Sequence, residues 1–198
     1  MLCLHGFSTN SILLKNKNNF SRINKTLEYF YIDGSVTLPN DMKAWWIYNK
    51  EDPLDINWDE LSNIEDIDKL IGFNDSVSLV IKAIQENPSI ETIFGFSQGG
   101  AMLSLLVHFK LLPQQIKRVI FVGAFFPLKC ELNIHTIPSL HIAGLEDSVI
   151  NHSLSEKLAS QYLNPVIIIH KGKHVIPNDK NMRDTFRNFL NYSNTYLM

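Results

Sequence analysis

Short apolar runs alternate along this chain with stretches whose apolar residues recur at helical spacing. Leu2–His5, Tyr29–Asp33, Thr92–Phe96, Arg118–Val122, Ser139–Ala143 and Val166–His170 read as strands, being short and apolar with turn-forming residues at their ends. Between them, Asp75–Gln85 carries Val77, Val80, Ile81 and Ile84 at i, i+3, i+4 and i+7 behind a capping Asn74, which lays one helix face on a sheet. The segment Gln98–Lys110 is apolar almost all round, with Met102, Leu103, Leu105, Leu106 and Val107, and predicts a buried central helix. Ser155–Leu163 and Asp179–Leu190 add two more helices, the second with Phe186, Phe189 and Leu190 on its inner face. Alternating strands and helices imply an α/β fold with a mostly parallel sheet of about six strands and helices on both faces. Residues 37–61 break the pattern: they hold Pro39, Pro53 and all three tryptophans, Trp45, Trp46 and Trp58, and predict a long irregular loop over one end of the sheet.

Composition narrows the class. A chain of 198 residues buries roughly 70% of its unfolded surface, and no repeat or linker divides it, so 1–198 is expected to be a single domain. With 45% apolar residues, 19% charged residues and a net charge of −2, neither disorder nor nucleic-acid binding is favoured. The apolar start Met1–Leu4 is too short for a signal-peptide core and no run has the ~18 residues of a membrane span, so a cytoplasmic protein is expected. Cys3 and Cys130 lack CxxC spacing and read as free thiols in a reducing compartment, with no metal site and no cofactor.

Candidate chemistry begins at Gly95-Phe96-Ser97-Gln98-Gly99, a Gly-x-Ser-x-Gly match that chance would supply on the order of once in fifteen chains of this length. Its setting matters more than the match. A strand runs into it and a helix leaves it, the context in which a strained turn presents a nucleophilic serine above a sheet, although a turn packed tightly for other reasons would also use glycines. Such a serine needs a base and an orienting carboxylate, in the order Ser, Asp/Glu, His when strand, turn and helix are arranged this way. Asp147, with Glu146 as its rival, lies just past the strand Ser139–Ala143, and His174 lies past Val166–His170, with His170 as the alternative base. The other histidines have no partner indicated. Near the start, His5-Gly6-Phe7 follows the first strand. A His-Gly element there can supply one oxyanion donor from the backbone, which nominates the amides of Phe7 and Gln98 and leaves the His5 side chain to fix the loop.

The blocks "LCLHGF", Trp45-Trp46, "GFSQGG", "IPSLHIAGLEDSVI" and "HKGKHVIP", spread in order from Leu2 to Pro177, together resemble the FSH family of serine hydrolases. The resemblance implies an α/β-hydrolase fold without a large cap and carboxylester hydrolysis, often of medium to long acyl chains, with a triad landing on Ser97, Asp147 and His174. The chain departs from the family pattern at Asn87–Glu91, where a run containing proline and aspartate is usual, and at Gly172-Lys173, where Gly-Gly is usual. Trp45 and Trp46 are expected to wall the substrate pocket, with ordinary core packing as the alternative for at least one of them. Two other functions compete. A thioesterase acting on acyl-CoA, acyl-carrier or acyl-protein substrates would use the same triad, with Lys15, Lys17 and Lys25 available to a phosphate-bearing carrier. A non-catalytic binding protein on a hydrolase scaffold would usually have lost a triad member, and all three candidates are present.

Overall fold

Leu2, Cys3 and Leu4 form strand β1 (Leu2–Leu4), which lies inside a six-stranded sheet rather than at its margin. The structure is a computed structural model and describes residues 1–17, 24–56, 62–129 and 133–191. The remaining strands of the sheet are β2 (Phe30–Ile32), β5 (Thr92–Phe96), β6 (Arg118–Val122), β7 (Ser139–Gly144) and β8 (Val166–His170). Their order is β2-β1-β5-β6-β7-β8 and every pair is parallel. All six strands anticipated from the sequence are present, three of them to the residue. This is the α/β-hydrolase sheet, with no large cap among the described residues.

Alternation along the strands explains the two helical layers. Leu2, Leu4, Ile93, Val119 and Phe121 face α2 (Phe73–Glu86), α3 (Gln98–His108) and α4 (His152–Ala159). Cys3, Phe94, Ile120, Val122 and Ile142 face the other way, toward Leu14 of α1 (Ser11–Lys17) and Met182, Phe186 and Phe189 of α5 (Lys180–Asn191). The inner strands β1, β5, β6 and β7 are covered on both sides and so are apolar on both, which is why they read as hydrophobic runs, whereas the edge strand β8 leaves Val166, Ile167 and Ile169 exposed. Cys3 is a free, buried thiol, and burial raises its pKa. Cys130 lies outside the described residues. No helix among the described residues is long and apolar enough to cross a membrane.

Several boundaries moved for physical reasons. Helix α2 starts at Phe73 and not at Asp75, because buried Phe73 extends its apolar face by a turn. Its cap is Gly72, at φ 91°, and Asn74 lies inside the helix. Helix α4 starts early, where the Asn151 side chain accepts from the Ser153 amide (3.0 Å), and stops at Ala159 because the chain turns to pair Leu163 N–H with the His135 carbonyl (2.8 Å). The stretch expected to be an irregular loop is partly regular and partly core. Val36–Thr37 (β3) and Lys43–Ala44 (β4) pair antiparallel around Pro39–Asp41, and Trp45 and Trp46 behind them are fully buried. Trp58 falls outside the described residues.

Candidate active site

Strand β5 ends at Phe96 and helix α3 begins at Gln98, which leaves Ser97 to make the whole reversal. It does so at φ 53°, ψ −120°, a left-handed backbone that a residue with a β-carbon adopts only at a cost of order 1–3 kcal/mol. The strain is held in place from several sides. The Ser97 amide donates to the Val122 carbonyl (2.9 Å), and its carbonyl accepts the first bond of the helix, from Ala101 (3.0 Å). The amide of Gln98, one residue into the helix, therefore has no acceptor within it. Close packing sets the glycines: a β-carbon on Gly95 or Gly99 would stand 2.5 Å from backbone oxygens, and one on Gly100, 2.4 Å from the Ala124 β-carbon. Gly100, which has no part in the motif, is thus required by packing against β6's outgoing loop.

Asp147 lies just past β7 with its side chain only 1% exposed. One carboxylate oxygen, Oδ1, accepts from the amides of Val149 (2.9 Å) and Ile150 (2.8 Å), and the other, Oδ2, meets His174 Nδ1 at 2.7 Å. Burial alone would raise the Asp147 pKa. The His174 hydrogen bond and the two amides outweigh it, and the carboxyl is held below its ordinary value. Glu146 is exposed and makes no such contact. His170 Nδ1 accepts from the Gly172 amide (3.0 Å), which shapes the loop leading to His174. The His174 ring tilts over Phe96, the residue before Ser97, with centroids 4.8 Å apart.

Ser97 and His174 border one open groove of about 290 Å³ together with Gly6 and Phe7. Leu14, Phe96 and Val149 give it apolar walls, and Lys17 is the one charged side chain beside the histidine among its described lining residues. The structure therefore brings Ser97, Asp147, His174 and Phe7 to one place. Gln98, next in the chain, is not among the residues lining the groove; it is 5% exposed, and its side chain turns inward onto Trp45 and Trp46. His5 is wholly buried: Nδ1 donates to the Gly6 carbonyl (2.7 Å) and Nε2 accepts from the Gly34 amide (3.0 Å), because an amide N–H can only donate. Burial pushes its pKa down, in the same direction as the acceptor role of Nε2.

The expectation that Trp45 and Trp46 wall the pocket is corrected here. Neither lines the groove, both are 0% exposed, and Trp46 packs edge-on against Phe73 with centroids 6.4 Å apart. Sequence reading also missed Leu14, and named Lys17 only as a contact for a phosphate-bearing carrier, since the seven-residue helix carrying them buries only Leu14 and has no periodic signal.

A family model described as serine hydrolase (FSH1) matches residues 1–186. The chain belongs to the FSH1 serine hydrolase family. It is 28% identical over 208 residues to an esterase of Caenorhabditis elegans, covering 96% of this chain and 91% of that protein. It is 25% identical over 222 residues to the esterase OVCA2 of Danio rerio, covering 96% and 95%. Among solved structures, this FSH1 family member resembles Arabidopsis thaliana SOBER1 (TM-score 0.64, 16% identity, 96% of this chain and 95% of that one). A carboxylesterase from Mesorhizobium loti is similarly alike (TM-score 0.65, 19% identity, 96% of this chain and 86% of that one). Those structural likenesses speak to the fold. Family membership makes the chain an enzyme of the serine hydrolase class.

Proposed function

We propose that the chain hydrolyses carboxylic esters through an acyl-enzyme on Ser97. The observation carrying this reading is the short Asp147–His174 bond at the edge of the groove that also holds a backbone-strained Ser97. With Nδ1 committed to Asp147, His174 has Nε2 left to take the Ser97 proton as Oγ attacks the ester carbonyl. The negative oxygen is received by the amides of Phe7 and Gln98. His174 then gives its proton to the departing alcohol, and water, activated by the same nitrogen, cleaves the acyl-enzyme. No metal or organic cofactor enters any step.

A groove of about 290 Å³ lies just under the ~300–1,000 Å³ usual for ligand sites, so a medium acyl chain against Phe7, Leu14, Phe96 and Val149 is the best fit. Lys17 on the groove supports a second reading, a thioester whose carrier bears a phosphate. Two experiments decide. A fluorophosphonate probe should label wild-type protein and fail on Ser97→Ala; absence of labelling on well-folded wild type would remove the hydrolytic reading. Matched oxygen and thio esters of increasing acyl length should show kcat/KM rising until the groove is filled, and a steady fall from the acetyl ester onward would remove the acyl-pocket assignment.

A further inference from the structure

We infer that Trp45 and the side chain of Gln98 are positioning residues that brace the two oxyanion donors against each other. The inference rests on the proposal that the Phe7 and Gln98 amides receive the oxyanion.

Trp45 is linked to both halves of that arrangement. Its indole Nε1–H donates to the His5 carbonyl (2.7 Å), and its backbone N–H donates to Gln98 Oε1 (2.9 Å). Gln98 Nε2 donates in turn to the Trp46 carbonyl (2.8 Å), so both ends of the glutamine amide close on the same two-residue segment. That segment is itself anchored from α2, where the Ser76 hydroxyl donates to the Trp45 carbonyl (2.7 Å). On the other side, the His5 ring lies 5.0 Å from the Trp45 ring and holds the Gly6 carbonyl through Nδ1–H. The peptide that follows is planar and trans, so fixing the Gly6 carbonyl also fixes the direction of the Phe7 N–H at its opposite edge. The chain of contacts runs Phe7 amide, Gly6 carbonyl, His5, Trp45 and Gln98, and ends on the residue whose own amide is the second donor.

Plain core packing does not call for these polar atoms. A buried primary amide is costly unless both its ends are matched, and an apolar residue of the same shape would fill the space without that demand. Phenylalanine would likewise supply the ring at position 45 without an N–H that must find an acceptor. What the polar atoms add is position: catalytic donors have to be held to about 0.5 Å, and directional hydrogen bonds from supporting residues, together with packing, lock them there.

Trp45→Phe keeps a smaller aromatic ring and removes one link; Gln98→Met keeps the volume and removes two. Each should lower kcat/KM for a chromogenic ester by about 10-fold or more, short of the ~10²–10³-fold of deleting a donor outright, with KM within twofold of wild type. The affinity of a trifluoromethyl ketone, whose hemiketal oxyanion uses the same donors, should weaken by the same factor, and the double variant should lose less than the product of the single losses. Wild-type protein gives a readout that needs no variant: the Trp45 indole ¹⁵N–¹H resonance, identified among three, should shift when the ketone binds. Folded variants with unchanged kcat/KM and ketone affinity would overturn the inference, as would an unmoved Trp45 resonance. Loss confined to KM would overturn it too. If wild type neither labels at Ser97 nor turns over esters, the parent proposal fails first; if it does both and Trp45→Phe is indistinguishable from it, only the brace fails.

Discussion

Replacing Asp147 by asparagine is the substitution whose effect the geometry specifies most fully. Oδ1 is held by two backbone donors, Val149 and Ile150, at 2.9 and 2.8 Å. An asparagine must place its carbonyl oxygen there, because its NH₂ group cannot accept. The NH₂ then occupies the Oδ2 position, 2.7 Å from His174 Nδ1, and donates to it. His174 can satisfy that contact only by accepting at Nδ1, which moves its own proton to Nε2, the atom that should receive the Ser97 proton. The side chain still fits and the fold survives, but the base carries the wrong tautomer. Loss of the orienting carboxylate in this way costs about 10⁴-fold in kcat, or about 5.4 kcal/mol of barrier. Steady-state turnover and the rate of fluorophosphonate labelling should both fall by that order, with near-ultraviolet circular dichroism unchanged. Glu146→Gln, at the exposed neighbour, should leave both rates as they were. Folded Asp147→Asn within about tenfold of wild type would refute the tautomer argument, since a misprotonated imidazole leaves far less activity than that. The lowered Asp147 pKa has a sign as well: its stabilising contribution is present above the ordinary value of 3.8 and lost only as pH falls through the lower folded value, so it does not vary near neutrality.

Two further substitutions test packing and charge away from the chemistry. Gly100→Ala puts a β-carbon 2.4 Å from that of Ala124; the overpacking should cost ~1–3 kcal/mol, visible as a lower thermal midpoint, and an unchanged midpoint would refute the contact. His141, buried in mid-β7 against Phe121 (4.8 Å) and Tyr162 (5.0 Å), has its pKa pushed down to about 3 by burial. Between its ordinary 6.5 and that value the unfolded chain binds a proton that the folded chain does not, so stability falls with falling pH by up to ~1.4 kcal/mol per unit. His141→Phe should flatten the acid limb of the stability profile by that slope, measured by chemical denaturation from pH 7 to 4; an equally steep limb would show that His141 does not set it.

The central strands were legible because both faces of the inner sheet are buried, so Ile93–Phe96 and Val119–Val122 are short apolar runs that end at the turns beginning with Ser97 and Gly123. The serine turn was legible for a related reason: Gly95 and Gly99 mark in the sequence where backbones touch. Trp45 and Trp46 were not. Two adjacent buried residues on an extended segment have no period, and aromatic side chains look the same as a pocket wall or as a brace. The distinguishing feature is a set of hydrogen bonds to residues 40 to 53 positions away, which no local pattern contains. Helix α1 escaped notice because one buried residue in seven is no face.

Those same long spans bear on how the enzyme comes into being. The meeting of segments near residues 5, 45 and 98 depends in the folded state on the β1–β5 pairing and on α2 and α3, since Ser76 and Gln98 both reach the tryptophan segment. Closing loops of that length costs entropy that other contacts must offset, so the docking of this segment is expected to come late. A chain with its sheet formed but the tryptophan segment undocked would bind dyes, show native-like far-ultraviolet dichroism and hydrolyse nothing. During refolding, regained activity should therefore lag secondary structure and count only the molecules that have finished.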